Sequence, residues 1–165
     1  MTDRGTLEAL AEDLARELVD KGWMCATAES CTGGGIARIL TEIAGSSSWF
    51  ERGFVTYSNE AKLEMLGVSS ATIKRFGAAS EETAREMARG ALRNSRAQAS
   101  MAVTGIAGPA GGSLEKPVGT VAFAWALEGK ETTSATRRFD GDRRAVREAA
   151  IEQAIEGLLG RLRKD

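Results

Sequence analysis

Short apolar runs that each stop at a polar or glycine-rich loop, and alternate with stretches of helical spacing, constrain this chain more than any other feature. Residues 5–21 carry Leu7, Leu10, Leu14 and Leu18 on one helical face, and Gly22 stands where such a helix ends. The run 23–28, WMCATA, predicts a strand; ESCTGGG follows it, then a helix near 34–42. A second strand is expected at 54–57, followed by a helix that starts at Asn59, a good N-cap residue. Ser80 with Glu81 and Glu82 opens a helix to about Asn94, the acidic first turn suiting the helix dipole. Residues 101–104, MAVT, form a short strand broken by GIAGPAGGSLEKP. Runs 119–127 and 132–139 flank EGK as a hairpin, and 142–162 forms the last helix.

Strands that alternate with helices imply parallel strands covered on both faces, and the late hairpin adds an antiparallel edge. The expected fold is α/β: a three-layer α/β/α sandwich with a mixed, mostly parallel sheet and a C-terminal β-hairpin. No repeat, low-complexity segment or linker divides residues 1–165, so one domain is expected, and 42% hydrophobic residues are enough for one core.

Function classes are narrowed mainly by what the chain lacks. It has no histidine, which removes Ser-His and Cys-His catalysis and the HExxH metalloproteases together. Lysine, a carboxylate or a tyrosine must then move protons. Cys25 and Cys31 fit reduced thiols and, without histidine, no zinc site, so no metal is expected. The 22 Lys and Arg nearly balance the 23 Asp and Glu, giving no basic field for nucleic acid. No apolar stretch approaches the roughly 20 residues that span a bilayer, and MTDRGTLEAL is polar from its second residue. The expectation is a cytoplasmic protein without membrane or nucleic-acid partners.

In such sheets ligands sit beyond the carboxyl ends of the strands. Ser30 ends the first strand, and Gly33 and Gly34 open the next helix, where free N–H groups can hold an anion or a developing oxyanion. An ordinary Ser or Thr cap on a glycine turn fits the same residues. Tyr57 is the one tyrosine, and Lys62 follows in the first helical turn, where the dipole favours a neutral amine. Either Lys62 is a solvated surface lysine, or it is desolvated against Ser30 and Tyr57 as a base for a serine nucleophile, with the tyrosine hydroxyl as relay. Cys31 is the rival nucleophile, since a thiol beside a helix start can be acidified. Thr104 and the glycines of TGIAGPAGG let a ligand approach backbone, without P-loop or dinucleotide spacing. In FDGDRRAVR, Arg143, Arg144 and Arg147 either bind a phosphate or carboxylate or pair with acids such as Asp142.

AESCTGG (28–34), YSNEAK (57–62) with LGV (66–68), AVTGIAGP (102–109) with GG (111–112) and KPVGTV (116–121), and FDGDRRAVR (139–147) resemble, in order and spacing, the C-terminal domain of the CinA family. Ala110 departs from the family pattern, which often has a polar residue or glycine there. The resemblance covers nearly the whole chain and implies an α/β/α sandwich, a homodimer, no cofactor, and nicotinamide-nucleotide amidase activity of the stand-alone form. It implies that Ser30 attacks the carboxamide of nicotinamide mononucleotide, that Lys62 takes the serine proton, and that Tyr57 positions or relays it. The products would be nicotinate mononucleotide and ammonia. Backbone N–H groups of Cys31, Thr32, Gly33 and Gly34 would hold the oxyanion, and Thr32, Thr104, Gly105, Ile106, Ala107 and Gly108 would line the nucleotide site. Arg143 or Arg147 would hold the phosphate. The family's association with competence and damage responses implies an alternative, a nucleotide-binding regulatory module with little catalysis.

Overall fold

The inner strands β1 (Cys25–Glu29), β3 (Ala99–Gly105) and β4 (Thr120–Leu127) are almost wholly buried, and their alternate side chains differ in size. On one face Met101, Val103, Phe123 and Trp125 pack with Leu14 and Leu18 of α1 (Arg4–Lys21) and Ile155 and Leu158 of α6 (Arg143–Arg163). Each such side chain contributes about 1.5–3 kcal/mol when fully buried. On the other face Ala26, Ala28, Ala102, Ala122, Ala124 and Ala126 meet Ala84, Met87 and Ala88 of α5 (Glu81–Arg93). The small residues let α5 lie close to the sheet: the Ser100 hydroxyl donates to the Ala88 carbonyl at 2.7 Å. The two faces therefore give the three layers of the expected sandwich. This computed structural model describes residues 2–164, so the ends of the expected 1–165 domain, Met1 and Asp165, lie outside the described residues.

The sheet order is β2-β1-β3-β4-β5, with β2 (Phe50–Val55) and β5 (Thr133–Arg138) at the edges. β1 pairs in parallel with β2 and β3, whereas β4 is antiparallel to β3 and to β5, so four of the five strands run in one direction. The hairpin β4–β5 lies where the sequence predicts it.

Some boundaries differ from expectation. β2 begins at Phe50 and ends before Tyr57, because an edge strand with exposed polar positions lacks the apolar run that marks an inner one. α3 (Asn59–Leu66) is capped by Ser58, whose hydroxyl accepts from Ala61 N at 3.0 Å, so Asn59 is its first residue rather than its cap. α4 (Ser70–Phe76), capped by Ser69, is too short for a clear period in the sequence. α2 (Gly35–Thr41) starts one residue later than expected. On α6, Gly157 faces Trp125, whose indole N–H donates to the Ala154 carbonyl at 2.9 Å.

Register fixes the position of the site. Glu29 lies beside Val55 on one flank and Val103 on the other, so the carboxyl ends of β1, β2 and β3 form one rim. The residues that follow, Ser30, Thr56 and Tyr57, and Thr104, sit there side by side.

Candidate active site

Backbone pairing continues one residue past the strands: Ser30 N donates to Val103 O at 2.9 Å, and Thr56 N donates to Glu29 O at 2.8 Å. Ser30 is thus held on rigid elements. α3 folds back over this rim and brings Lys62 Nζ to 3.1 Å from Ser30 Oγ, 3.1 Å from Thr56 O and 3.3 Å from Tyr57 O. Lys62 is 1% exposed, and no carboxylate lies within ion-pair distance of it among the described residues. Burial therefore holds its pKa below the ordinary 10.5. A neutral amine can donate its two N–H groups to the two carbonyls, which leaves its lone pair for the Ser30 hydroxyl. That is the arrangement a general base requires.

The loop after Ser30 is organised by a residue that the sequence did not single out. Glu29 is fully buried, and its carboxylate accepts from the Thr32 hydroxyl at 2.6 Å, Ile36 N at 2.9 Å and Ala37 N at 3.1 Å. Gly34, the N-cap of α2, has no side chain to make these bonds, so Glu29 satisfies the helix start instead. Gly33 and Gly34 take φ of +59° and +98°, the left-handed region that lets the chain turn within one step. Gly33 N donates to Ser30 O at 3.0 Å and Gly35 N to Thr32 O at 2.9 Å. Among the described residues the N–H groups of Cys31, Thr32 and Gly34 have no main-chain or side-chain acceptor on another residue.

A cleft of about 490 Å³, within the range of small-molecule sites, opens at Ser30. Cys31, Tyr57, Lys62 and Thr104 line it, and Gly105, Ile106, Ala107 and Gly108 continue the wall to Ala110. Thr104 is buried and its hydroxyl donates to Ala78 O at 2.9 Å. Arg143 also lines the cleft, donating to Gly108 O at 2.7 Å and to the Tyr57 hydroxyl at 3.0 Å.

Several of the expected site residues take positions that the sequence did not foresee. Arg147 does not line this cleft: it donates to the Cys31 and Thr32 carbonyls at 3.0 and 3.3 Å and braces the loop after Ser30 from behind. Thr32, Gly33 and Gly34 are likewise absent from the cleft wall, the Thr32 hydroxyl being taken by Glu29 and the Gly33 N–H by Ser30. Tyr57 meets Ser30 and Lys62 through its main-chain carbonyl, and its phenol, in a side chain 60% exposed, accepts from Arg143. Burial pushes the Cys31 thiol up to about 11, which favours Ser30 over the rival cysteine as the candidate nucleophile.

Sequence reasoning also passed over Lys116 and Asn59, which line the same cleft. Both stand inside the quoted motifs, and that placement was the one available signal. Among the described residues no group of three or more His, Cys, Asp or Glu is placed to hold a metal ion, and no helix is long and apolar enough to cross a membrane.

Comparison with known proteins gives a consistent result. The CinA C-terminal domain profile matches residues 7–162. The chain is 51% identical over 158 residues to nicotinamide-nucleotide amidohydrolase PncC of Escherichia coli K12, covering 96% of this chain and 95% of that protein. Identity to the protein of the same name in Pseudomonas putida is 48% over 153 residues, 93% of this chain and 95% of the relative. A CinA-like protein of Akkermansia muciniphila is 46% identical over 157 residues, which are 95% of this chain and 38% of that longer protein. The crystal structure of competence/damage inducible protein CihA from Agrobacterium tumefaciens shares the fold with a TM-score of 0.92 and 49% identity, over 96% of each chain.

Proposed function

The chain belongs to the CinA C-terminal domain family, and from that premise we propose that it is an amidohydrolase that converts nicotinamide mononucleotide to nicotinate mononucleotide and ammonia through an acyl-enzyme. The observation that carries this reading is the buried Lys62 amine 3.1 Å from Ser30 Oγ, with two carbonyls ready to accept its N–H groups.

Ser30 Oγ attacks the carboxamide carbon as its proton passes to neutral Lys62. Negative charge develops on the carboxamide oxygen, and the N–H group of Cys31, which lines the cleft and lacks an acceptor, is the candidate to hold it. The Lys62 ammonium then protonates the departing nitrogen, which leaves as ammonia. A water, deprotonated by the neutral amine, attacks the acyl carbon. Cleavage of the ester returns the proton to Ser30 and frees the carboxylate product. Tyr57 positions the pair through its carbonyl, and Arg143 takes the substrate phosphate. Residues 105–110 face the nucleotide, and the whole chain acts as one catalytic domain without a cofactor.

The test is ammonia release from the mononucleotide by wild type, Ser30→Ala and Lys62→Ala, with folding checked by circular dichroism. Both variants are expected to lose turnover while folded. Wild-type turnover in either variant refutes the mechanism, and tight binding of the mononucleotide without turnover in the wild-type protein identifies a regulatory module instead.

A further inference from the structure

The residues lining the Ser30 cleft include three basic side chains, Lys62, Lys116 and Arg143, and no Asp or Glu, although the whole chain carries a net charge of −1. This is a local concentration of positive charge, and Lys62 cannot be its receiving end. It is 1% exposed and hydrogen-bonded to Ser30 and two carbonyls at the reacting end of the cleft. Arg143 and Lys116 remain.

Lys116 is set in place by its own loop. Ser113 N donates to Lys116 O at 2.8 Å and Lys116 N to the Ser113 hydroxyl at 3.0 Å, closing a turn. The side chain then reaches across to the end of α4, where the ammonium donates to the Phe76 carbonyl, directly over Gly77. A Cβ on Gly77 would lie 3.1 Å from Nζ, and Gly77 takes a φ of +86°. The ammonium thus bridges the 105–119 loop and the α4–α5 connection, two walls of the cleft, and keeps N–H groups beyond the one given to Phe76. Arg143 stands on a third wall with two of its five N–H groups engaged, by Gly108 O and the Tyr57 hydroxyl. Neither cation lies within ion-pair distance of a carboxylate among the described residues.

We propose that Lys116 and Arg143 form the phosphate-binding end of the cleft and that Lys116 is the residue that selects a phosphorylated substrate over its nucleoside. The assignment rests on the amidase reading of the same cleft. Two unpaired cations on separate walls suit a phosphate monoester dianion, the lysine as a compact charge and the arginine as a fork. A purely structural role competes with this one, because a lysine at the last carbonyl of a helix also stabilises that helix end.

The experiment measures ammonia release by the full chain from nicotinamide mononucleotide and from its dephosphorylated nucleoside, for wild type, Lys116→Met and Lys116→Arg. Lys116→Met is expected to raise KM for the mononucleotide about 10- to 100-fold with kcat within about 2-fold. Its kcat/KM for the nucleoside should be unchanged, and Lys116→Arg should recover most of the mononucleotide affinity. An unchanged mononucleotide KM, or an equal loss on both substrates, overturns the assignment. If wild type releases no ammonia, the amidase reading fails on its own. Calorimetric titration with inorganic phosphate then decides on Lys116: binding to wild type that Lys116→Met abolishes supports the site, and equal or absent binding refutes it.

Discussion

The Glu29 carboxylate accepts a 2.6 Å hydrogen bond from the Thr32 hydroxyl, so the residue before Ser30 and the residue two after it are tied together inside the protein. The same carboxylate takes the N–H groups of Ile36 and Ala37 and so holds α2 in the same unit. Glu29→Gln keeps the shape but replaces one acceptor oxygen by a donor facing these N–H groups. It is expected to cost about 1–3 kcal/mol in urea denaturation. Turnover should fall with little change in KM, because in the proposed mechanism the altered loop carries the nucleophile and not the phosphate contacts.

Arg143 and Arg147 lie one helical turn apart on α6 but face different surroundings: Arg143 meets Gly108 and Tyr57 in the cleft, whereas Arg147 meets the Cys31 and Thr32 carbonyls behind it. Arg143→Met should raise KM for the mononucleotide about 10-fold or more. Arg147→Met should lower kcat and stability and leave KM nearly unchanged. Steady-state kinetics on the two variants checks the contrast, and a large KM effect in Arg147→Met would move the phosphate contact to the other arginine.

Activity should depend on pH through Lys62. Burial lowers its pKa below the ordinary 10.5, and in the proposed mechanism the neutral amine is the working form. The rate is therefore expected to rise with pH through the lowered value and level off before 10.5. Stability follows the same direction. Between the lowered value and 10.5 the unfolded chain binds more protons at this lysine than the folded one, so the unfavourable contribution of its burial shrinks as pH rises through that window. Lys62→Arg keeps a cation that does not deprotonate, and should lose about 10²–10⁴ in rate together with the acid limb. A rate profile from pH 5 to 10 on both proteins measures this.

Two glycines of α6 should respond oppositely to alanine. A Cβ on Gly157 would lie 2.1 Å from the Trp125 ring, whereas one on Gly160 meets nothing within 4 Å. Gly157→Ala is expected to destabilise by about 1–3 kcal/mol through overpacking. Gly160→Ala should stabilise by about 0.5–1 kcal/mol, since it removes glycine's entropy in a helix interior. Urea midpoints of the two variants provide the comparison.

Local pattern in the sequence determined the layers and the candidate site residues. Leucine spacing marked α1, the apolar runs marked β1, β3 and β4, and the absence of histidine left lysine, a carboxylate or a tyrosine to move protons. These are short-range signals of periodicity, capping and composition, and they persist in a linear reading. The edge strand β2, with one neighbour and exposed polar positions, shows such a signal only near its end, in the run 54–57, and its start at Phe50 came only from pairing with β1. Direction of side chains was also undetermined: whether Lys62 lay buried or solvated depended on α3 folding over the strand ends. The same holds for the separation of Arg143 from Arg147, the turning of the Tyr57 hydroxyl to Arg143, and the roles of Glu29 and Lys116. Each depends on contacts between residues distant in the chain or on which face of a turn a side chain takes. Sequence spacing constrains such contacts weakly, and packing decides them.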